Sequence, residues 1–193
     1  MRASPVHDDA MAPRISPLPP EGREPRTEEL LASLRGFNGT ELNIFSTLAR
    51  HPKLLKQWSA FGGTLLYGGT LAPRERELLI LRTGYLCRSP YEWGQHVAIG
   101  QAAGLTDDEI ARVAAGPEAD GWSTDDAVLL RAADELHSDH RIGDATWAAL
   151  AARYDEQQLI EVCMLVGQYH LVAFTLNSLG VEPESDDFPA LPA

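Results

Sequence analysis

The sequence predicts an all-α protein with a single domain. From Thr27 onward, apolar residues recur at the three-to-four-residue spacing of helices that cover a core. Several of these segments begin with residues that favour helix starts, and no run of alternating Val, Ile and Thr indicates a sheet. The length of 193 residues suits one domain with a sizeable core.

Nine helices are predicted in chain order. Their expected ranges are 27–36, 41–50, 52–67, 73–87, 90–103, 106–115, 124–138, 144–153 and 155–178. Pro52 and Pro73 stand at first-turn positions, where the N–H that proline lacks would have no helical partner in any case.

Three later helix boundaries carry signals of their own. Thr106 with Glu109 fits a capping box at the start of the sixth helix, and Asp155 with Gln158 opens the ninth in the same way. Gly180 follows the last helix, where a glycine commonly adopts the left-handed conformation that ends a helix.

The two ends of the chain differ in composition from the helical domain, which is expected to occupy residues 27–183. Residues 1–26 contain six prolines and indicate an extended arm. Residues 184–193 form a short acidic tail that contains proline and is expected to be loose.

The charge balance excludes one class of partner. Acidic residues outnumber basic ones by 28 to 16, and the formal net charge is -12. A chain of this charge repels phosphate backbones, and no stripe of Lys and Arg offsets the repulsion, so no nucleic acid is expected as a partner.

The same survey predicts a cytoplasmic protein. The N-terminal residues lack the apolar segment of a secretory signal, and the apolar runs are interpreted as too short for the roughly 18 residues of a membrane span. The two cysteines, Cys87 and Cys163, lie far apart and suggest no disulfide framework.

One short segment carries most of the chemical information. In the predicted helix that begins near Pro90, Glu92 and His96 are four residues apart and so lie on one face. Glu77 lies in the preceding helix, on a segment that is apolar nearly all round. Two carboxyl groups and an imidazole in one apolar place are typical of proton-transfer sites.

Each of these residues also has a purely structural interpretation. Ser89 and Glu92 fit a third capping box, in which the Glu92 carboxylate would accept from the Ser89 amide. Glu77 could pair with Arg74 one turn away, and His96 could be a hydrogen-bonded core histidine.

Two other clusters are weaker candidates for chemistry. His137 and His140 suit a metal ion only with a third ligand that the sequence does not identify, so a solvated helix end is favoured and no metal is expected. Cys163 and His170 are two helical turns apart, about 10 Å, which is too far for a catalytic dyad.

Several motifs together resemble a known family. They are Asn43-Ile44-Phe45, His51–Leu55, Leu71–Leu78, Ser89-x-x-Glu92-x-x-x-His96 eleven residues after Glu77, Ala133–His137, Gln168-Tyr169-His170 and Asn177–Val181. Over residues 14–183 the chain is similar to the carboxymuconolactone decarboxylase family of the AhpD-like superfamily. The resemblance implies an AhpD-like helical bundle that assembles as a trimer or hexamer, with a dimer as a further option.

The resemblance also separates two chemistries. The peroxidase branch of the superfamily carries Glu, then Cys-x-x-Cys-x-x-x-His. Glu77 and His96 match that pattern, but Ser89 and Glu92 stand at the cysteine positions. Peroxide reduction needs a thiolate, and neither cysteine of the chain occupies those positions, so the decarboxylase branch is favoured.

The resemblance to that branch implies a cofactor-independent decarboxylase or isomerase that acts on a small carboxylated lactone or related cyclic acid. Glu77, Glu92 and His96 would be catalytic, and which of them carries the proton stays open. The expected substrate contacts are Tyr91, Trp93, Arg82, Arg88, Tyr169 and His170, with Arg14 as a third candidate cation. The alternatives are a peroxidase and a ligand-binding protein without catalysis.

A final expectation concerns assembly. Ile15 and Leu18 are apolar residues within the proline-rich arm. A stiff polyproline segment loses little entropy when it docks, so residues 12–20 are expected to pack against the core of a neighbouring subunit in a homo-oligomer.

Overall fold

The computed structural model describes residues 13–36, 39–185 and 187–193. These residues form nine α-helices, and none of them lies in a β-strand. The helices are α1 (Pro25–Ser33), α2 (Asn43–Leu48), α3 (Pro52–Tyr67), α4 (Pro73–Leu86), α5 (Pro90–Ala102), α6 (Asp107–Ala115), α7 (Thr124–Ser138), α8 (Asp144–Ala151) and α9 (Glu156–Leu179). The all-α prediction is confirmed, and the largest boundary shift is at α1, which ends three residues early.

Helix α4 lies at the centre of the bundle. It packs against α5, α6, α7 and α9, which explains why its sequence is apolar nearly all round. Leu78 and Leu81 face the cluster that contains Trp93 of α5, whereas Leu79 and Ile80 face the cluster built on α7 and α9. A polar side chain on α4 therefore points into the protein in almost any direction.

The predicted helix ends are mostly present. Both capping boxes form, at Thr106 with Glu109 and at Asp155 with Gln158. Gly180 adopts the left-handed conformation, with φ 65° and ψ 47°, where the side chain of most other residues would be strained. The third proposed box is absent, because Ser89 makes no side-chain cap at the start of α5.

Helix α9 corrects the interpretation of the apolar runs. Its 24 residues are long and apolar enough to cross a membrane, with a mean hydropathy of 1.6 over the most apolar window. Half of that window is buried inside the fold, however, where Val162, Leu165 and Val166 belong to the largest core cluster. The core of a globular bundle accounts for this hydropathy.

The described part of the arm packs on its own chain. The amides of Arg14 and Ile15 donate to the carbonyl oxygen of Leu179 at the end of α9, at 2.9 and 3.3 Å. The amide of Leu18 donates to Ser46 in α2 at 2.9 Å. Within one chain, these residues of the arm therefore lie against α2 and the end of α9, and their docking on a neighbouring subunit stays a prediction.

A buried ion pair fastens α4 to two neighbours. Arg82 is 7% exposed, and its guanidinium donates to both carboxylate oxygens of Asp134 in α7, at 2.6 and 3.0 Å. Its remaining nitrogen donates to the carbonyl oxygens of Val113 and Ala114 at the end of α6. All of these donors are used within the fold, so the structure gives Arg82 a structural role.

We expect Arg82→Met to lower the free energy of unfolding by about 3 kcal/mol, because it leaves the Asp134 carboxylate and two carbonyls without their donor. Urea denaturation measures the change. The control is Arg131→Met, which removes a surface pair with the exposed Glu118 and should cost about 0.5 kcal/mol or less. An equal cost for both variants would contradict the structural role.

Candidate active site

A cavity of about 620 Å³ lies among α2, α3, α5 and α9. Its apolar wall includes Leu66, Ile99, Val172 and Leu176. The polar residues that line it include Trp58, Tyr91, Glu92, Gln95, His96, Gln168, Tyr169 and Glu184. A mostly apolar cavity of this size with a few polar groups suits a small organic ligand.

Glu77 and His96 form a buried couple beside the cavity. Glu77 has no exposed surface, and its Oε2 lies 2.7 Å from Nδ1 of His96. Its Oε1 accepts from Nε of Arg76 at 3.1 Å, which supplies the positive charge that a buried carboxylate needs. The alternative pairing with Arg74 is wrong, since that guanidinium binds Asp126 and Glu109 on other helices. The contact leaves Nε2 of His96 for a ligand.

Glu92 is an acid without a partner. It is 2% exposed, and neither carboxyl oxygen has a hydrogen-bond partner among the described residues. Burial therefore raises the pKa of Glu92 well above its ordinary value, which favours the protonated form of the carboxyl group. The capping-box interpretation is wrong, because the Ser89 amide donates to Gly84 and not to Glu92.

Glycine in α4 makes room for this acid. A Cβ atom at Gly84 would lie 3.2 Å from Oε1 of Glu92, tighter than most contacts of that kind. A glycine within a helix destabilises it by roughly 1 kcal/mol relative to alanine. At Gly84 it leaves the space that the Glu92 side chain occupies between α4 and α5.

Tyr169 completes the inner end of the cavity. Its ring meets the His96 imidazole edge to face, with centroids 4.9 Å apart. Burial raises the pKa of Tyr169 well above its ordinary value, and the nearby carboxyl groups of Glu77 and Glu92 add to the shift. The phenol thus stays neutral and is available as a hydrogen-bond donor.

A cradle for a carboxylate lies at another part of the cavity wall, and the chain itself fills it. Oε1 of Glu184 accepts from the hydroxyl of Tyr91 and from the backbone amide of Asn43, the latter at 2.7 Å. Oε2 accepts from Nε2 of Gln95 at 2.8 Å. These three donors, here called the carboxylate cradle, belong to α2 and α5.

Phe188 holds this part of the tail in place. Its ring lies 5.7 Å from that of Tyr91 and packs so closely on α5 that a Cβ atom at Gly94 would lie 2.0 Å from it. The expectation of a loose tail is therefore wrong for Glu184 and Phe188.

Four predicted substrate contacts lie elsewhere. Trp93 is buried with Tyr85 in the core, and Arg82 is used in its ion pair. Arg88 is exposed, and His170 binds His137. None of these, nor Arg14, lines the cavity.

The sequence interpretation also missed cavity residues. Gln95, Gln168, Trp58 and Glu184 line the cavity, and two of them, Trp58 and Gln168, keep buried polar atoms without partners among the described residues. Trp58 lies in α3 and Glu184 lies beyond α9, where no motif or periodicity in the sequence marks them as cavity residues. Gln95 and Gln168 stand within quoted motifs and could have been inferred.

A second group of polar side chains lies outside the cavity. Sγ of Cys87 and ring nitrogens of His137 and His170 lie within 4.8 Å of one another. Burial and the neighbouring Glu92 raise the pKa of the Cys87 thiol to about 12. Burial also raises the pKa of Cys163. Neither cysteine is prepared as the thiolate that a peroxidase needs.

Comparison with known proteins supports the fold and one family. The family model described as "Carboxymuconolactone decarboxylase family" matches residues 52–135, which contain Glu77, Glu92 and His96. No curated protein matches the chain.

Three solved structures are similar over nearly the whole chain. An alkylhydroperoxidase AhpD core, an uncharacterized peroxidase-related protein from Ralstonia eutropha JMP134, is 22% identical with a TM-score of 0.77, covering 90% of this chain and 94% of the other. An uncharacterized peroxidase-related protein from Silicibacter sp. TM1040 is 15% identical with a TM-score of 0.75, covering 93% of each chain.

The third is a cysteine-to-alanine variant of the debrominase Bmp8 in complex with 2,3,4-tribromopyrrole. It is 13% identical with a TM-score of 0.77, covering 92% of this chain and 95% of the other. At these identities the structures establish the fold and leave the chemistry open. They show that the chain has the AhpD-like fold, and residues 52–135 match the model of the carboxymuconolactone decarboxylase family.

Proposed function

We propose that this protein is a cofactor-independent decarboxylase of a small carboxylated lactone or related cyclic acid. The observation that carries the proposal is the buried, unpartnered Glu92 on the same helical face as His96, with both side chains at one cavity. An acid that keeps its proton at neutral pH can deliver that proton to carbon, and it does not repel an anionic substrate.

The reaction requires that one proton is transferred to a carbon atom of the substrate. The bond between the ring carbon and the substrate carboxylate breaks, carbon dioxide leaves, and the electron pair delocalises into the lactone carbonyl. The Glu92 carboxyl group then gives its proton to the carbon that will carry the new C–H bond. Water returns a proton to Glu92, and His96, held by Glu77, relays it through Nε2.

The developing negative charge needs stabilisation during this step. The neutral phenol of Tyr169 and the imidazole of His96 are the polar groups beside Glu92 that can hydrogen-bond the enolate oxygen. The low polarity of the surrounding wall strengthens both interactions, since little solvent screens them.

The substrate carboxylate is assigned to the carboxylate cradle. The cradle already holds a carboxylate, that of Glu184, by three donors at the cavity wall. A substrate that displaces Glu184 would satisfy the same donors without any of the arginines considered from the sequence.

We expect Glu92→Gln to lower kcat by about 10²–10⁴, because an amide cannot deliver the proton. Release of carbon dioxide from a panel of small carboxylated lactones measures the effect, with the exposed Glu118→Gln as the control. His96→Asn should lower kcat over the same range with a smaller change in KM. If the wild type binds a panel acid and forms no product, the protein is a ligand-binding homologue instead.

The protonation of Glu92 has a separate signature in stability. Because burial raises the pKa of Glu92, the folded state keeps this proton to a higher pH than the unfolded chain, in which the carboxyl group ionises near its ordinary pKa of 4.5. The unfolded state then binds fewer protons, so the free energy of unfolding falls as pH rises above that value, until Glu92 ionises in the folded state.

Glu92→Gln removes this contribution. We expect the stability of the variant relative to wild type to grow by up to about 1.4 kcal/mol per pH unit within that window. Urea denaturation at several pH values from roughly 5 to 8 measures it. A difference that does not change with pH would show that Glu92 is ionised in the folded protein.

The cradle assignment predicts competition between tail and ligand. Glu184→Gln weakens the internal contact, so the affinity for a small cyclic carboxylate such as benzoate should rise by roughly 3- to 10-fold. Calorimetric titration measures the affinity, and Glu182→Gln, an exposed carboxylate two residues away, is the matched control. Gln95→Ala should weaken binding. Equal affinities of the wild type and the three variants for the ligand would show that its carboxylate does not bind in the cradle.

A further inference from the structure

Three side chains with metal-binding atoms converge where α4, α7 and α9 meet. Cys87 caps the C-terminal end of α4, His137 lies in the last turn of α7, and His170 lies in α9. One ligand atom from each lies within 4.8 Å of the others, and all three side chains are partly buried. None of the three lines the cavity assigned to the substrate.

The ring of His170 is oriented by the backbone. Its Nδ1 lies 2.8 Å from the carbonyl oxygen of Val166. A carbonyl only accepts hydrogen bonds, so Nδ1 carries the hydrogen and Nε2 presents a lone pair. A hydrogen bond from the second ring nitrogen to a carbonyl is how proteins usually orient a histidine that binds metal.

That lone pair points at the second histidine. Nε2 of His170 lies 2.9 Å from Nδ1 of His137, so one hydrogen is shared between the rings. The two ring nitrogens face each other, as two ligands of one cation do.

The position of Cys87 is also fixed. Its backbone carbonyl accepts from the side-chain amide of Asn177 in α9 at 2.9 Å, and its amide donates to Thr83 at the same distance. The thiol is therefore held against the helix that carries His170.

We propose that Cys87, His137 and His170 bind a transition-metal ion of the Zn²⁺ type. The ion takes the place of the hydrogen shared by the two rings, with Sγ of Cys87, Nδ1 of His137 and Nε2 of His170 as ligands. The ligand atoms of a tetrahedral Zn²⁺ lie about 3.3–3.8 Å apart. Side-chain rotations that move these atoms by about 1 Å would therefore bring all three to the ion.

The protons balance in this step. The Cys87 thiol loses its hydrogen to solvent when its sulfur binds the ion, since a coordinating thiol is deprotonated. His137 gives up the hydrogen on Nδ1 and takes one on Nε2, so its charge is unchanged. One proton is thus released for each ion bound.

A second cavity of about 390 Å³ gives the ion room for a fourth ligand. His137 and His170 line it together with His140, Cys163 and Phe174. Three protein ligands leave one position of a tetrahedral ion free, and this cavity lets water or a small anion reach it. The site is independent of the proposed decarboxylation, in which no metal takes part.

The experiment is a titration of the metal-free, untagged protein with Co²⁺, followed by displacement with Zn²⁺. We expect one ion per chain, a near-ultraviolet band from thiolate coordination, and a rise in Tm with Zn²⁺. Cys87→Ser should abolish the band, and both Cys87→Ser and His170→Gln should weaken binding by about 100-fold or more.

Two substitutions of the same kinds serve as controls. Cys163→Ser and His140→Gln change residues of the adjoining cavity that are outside the set of ligands, and should leave stoichiometry, band and Tm shift unchanged. Circular dichroism checks that each variant is folded. Failure of the wild type to bind one equivalent, or equal binding by Cys87→Ser, would overturn the proposal. Because His170→Gln removes a different ligand, a misfolded Cys87→Ser would still leave a decisive comparison.

Discussion

The burial of Glu77 is the constraint on which the rest of the structure depends. A carboxylate with no exposed surface must be compensated, and the central position of α4 leaves few groups within reach. Arg76 supplies charge from the same helix, and His96 supplies a donor from α5. The imidazole is thereby fixed in orientation and tautomer, so the cavity wall has a defined face before any ligand binds.

The two buried glutamates, Glu77 and Glu92, have the same side chain and differ in their surroundings. Glu77 has two hydrogen-bond partners, whereas Glu92 has none among the described residues and its pKa is raised by burial. In the proposed mechanism, one glutamate therefore serves as a fixed charge and the other as a proton donor. Gly84 makes the second environment possible, since a larger residue there would press on the Glu92 carboxyl group.

Much of the fold could be predicted because its signals are local. Helix periodicity, the capping box at Thr106 and the glycine at Gly180 each act within a few residues, and so does the face shared by Glu92 and His96. The pairing of Glu77 with Arg74 is wrong because the partners of that arginine are distant in sequence. Arg82 meets a residue 52 positions away, and nothing near it in sequence indicates that its charge is already used. Pairing at that range is decided by packing, which periodicity does not encode.

The tail shows why such partners matter for binding. Glu184 is tethered to the cavity that it partly fills, so it competes at an effective concentration on the order of 1 mM, whatever the concentration of ligand outside. A free carboxylate that offers only the same three hydrogen bonds therefore gains little. A ligand must also fill the apolar cavity beyond the cradle, where each buried methylene contributes about 0.8 kcal/mol. If the substrate carboxylate binds the cradle as proposed, this arrangement selects against small anions and in favour of a carboxylate attached to a ring.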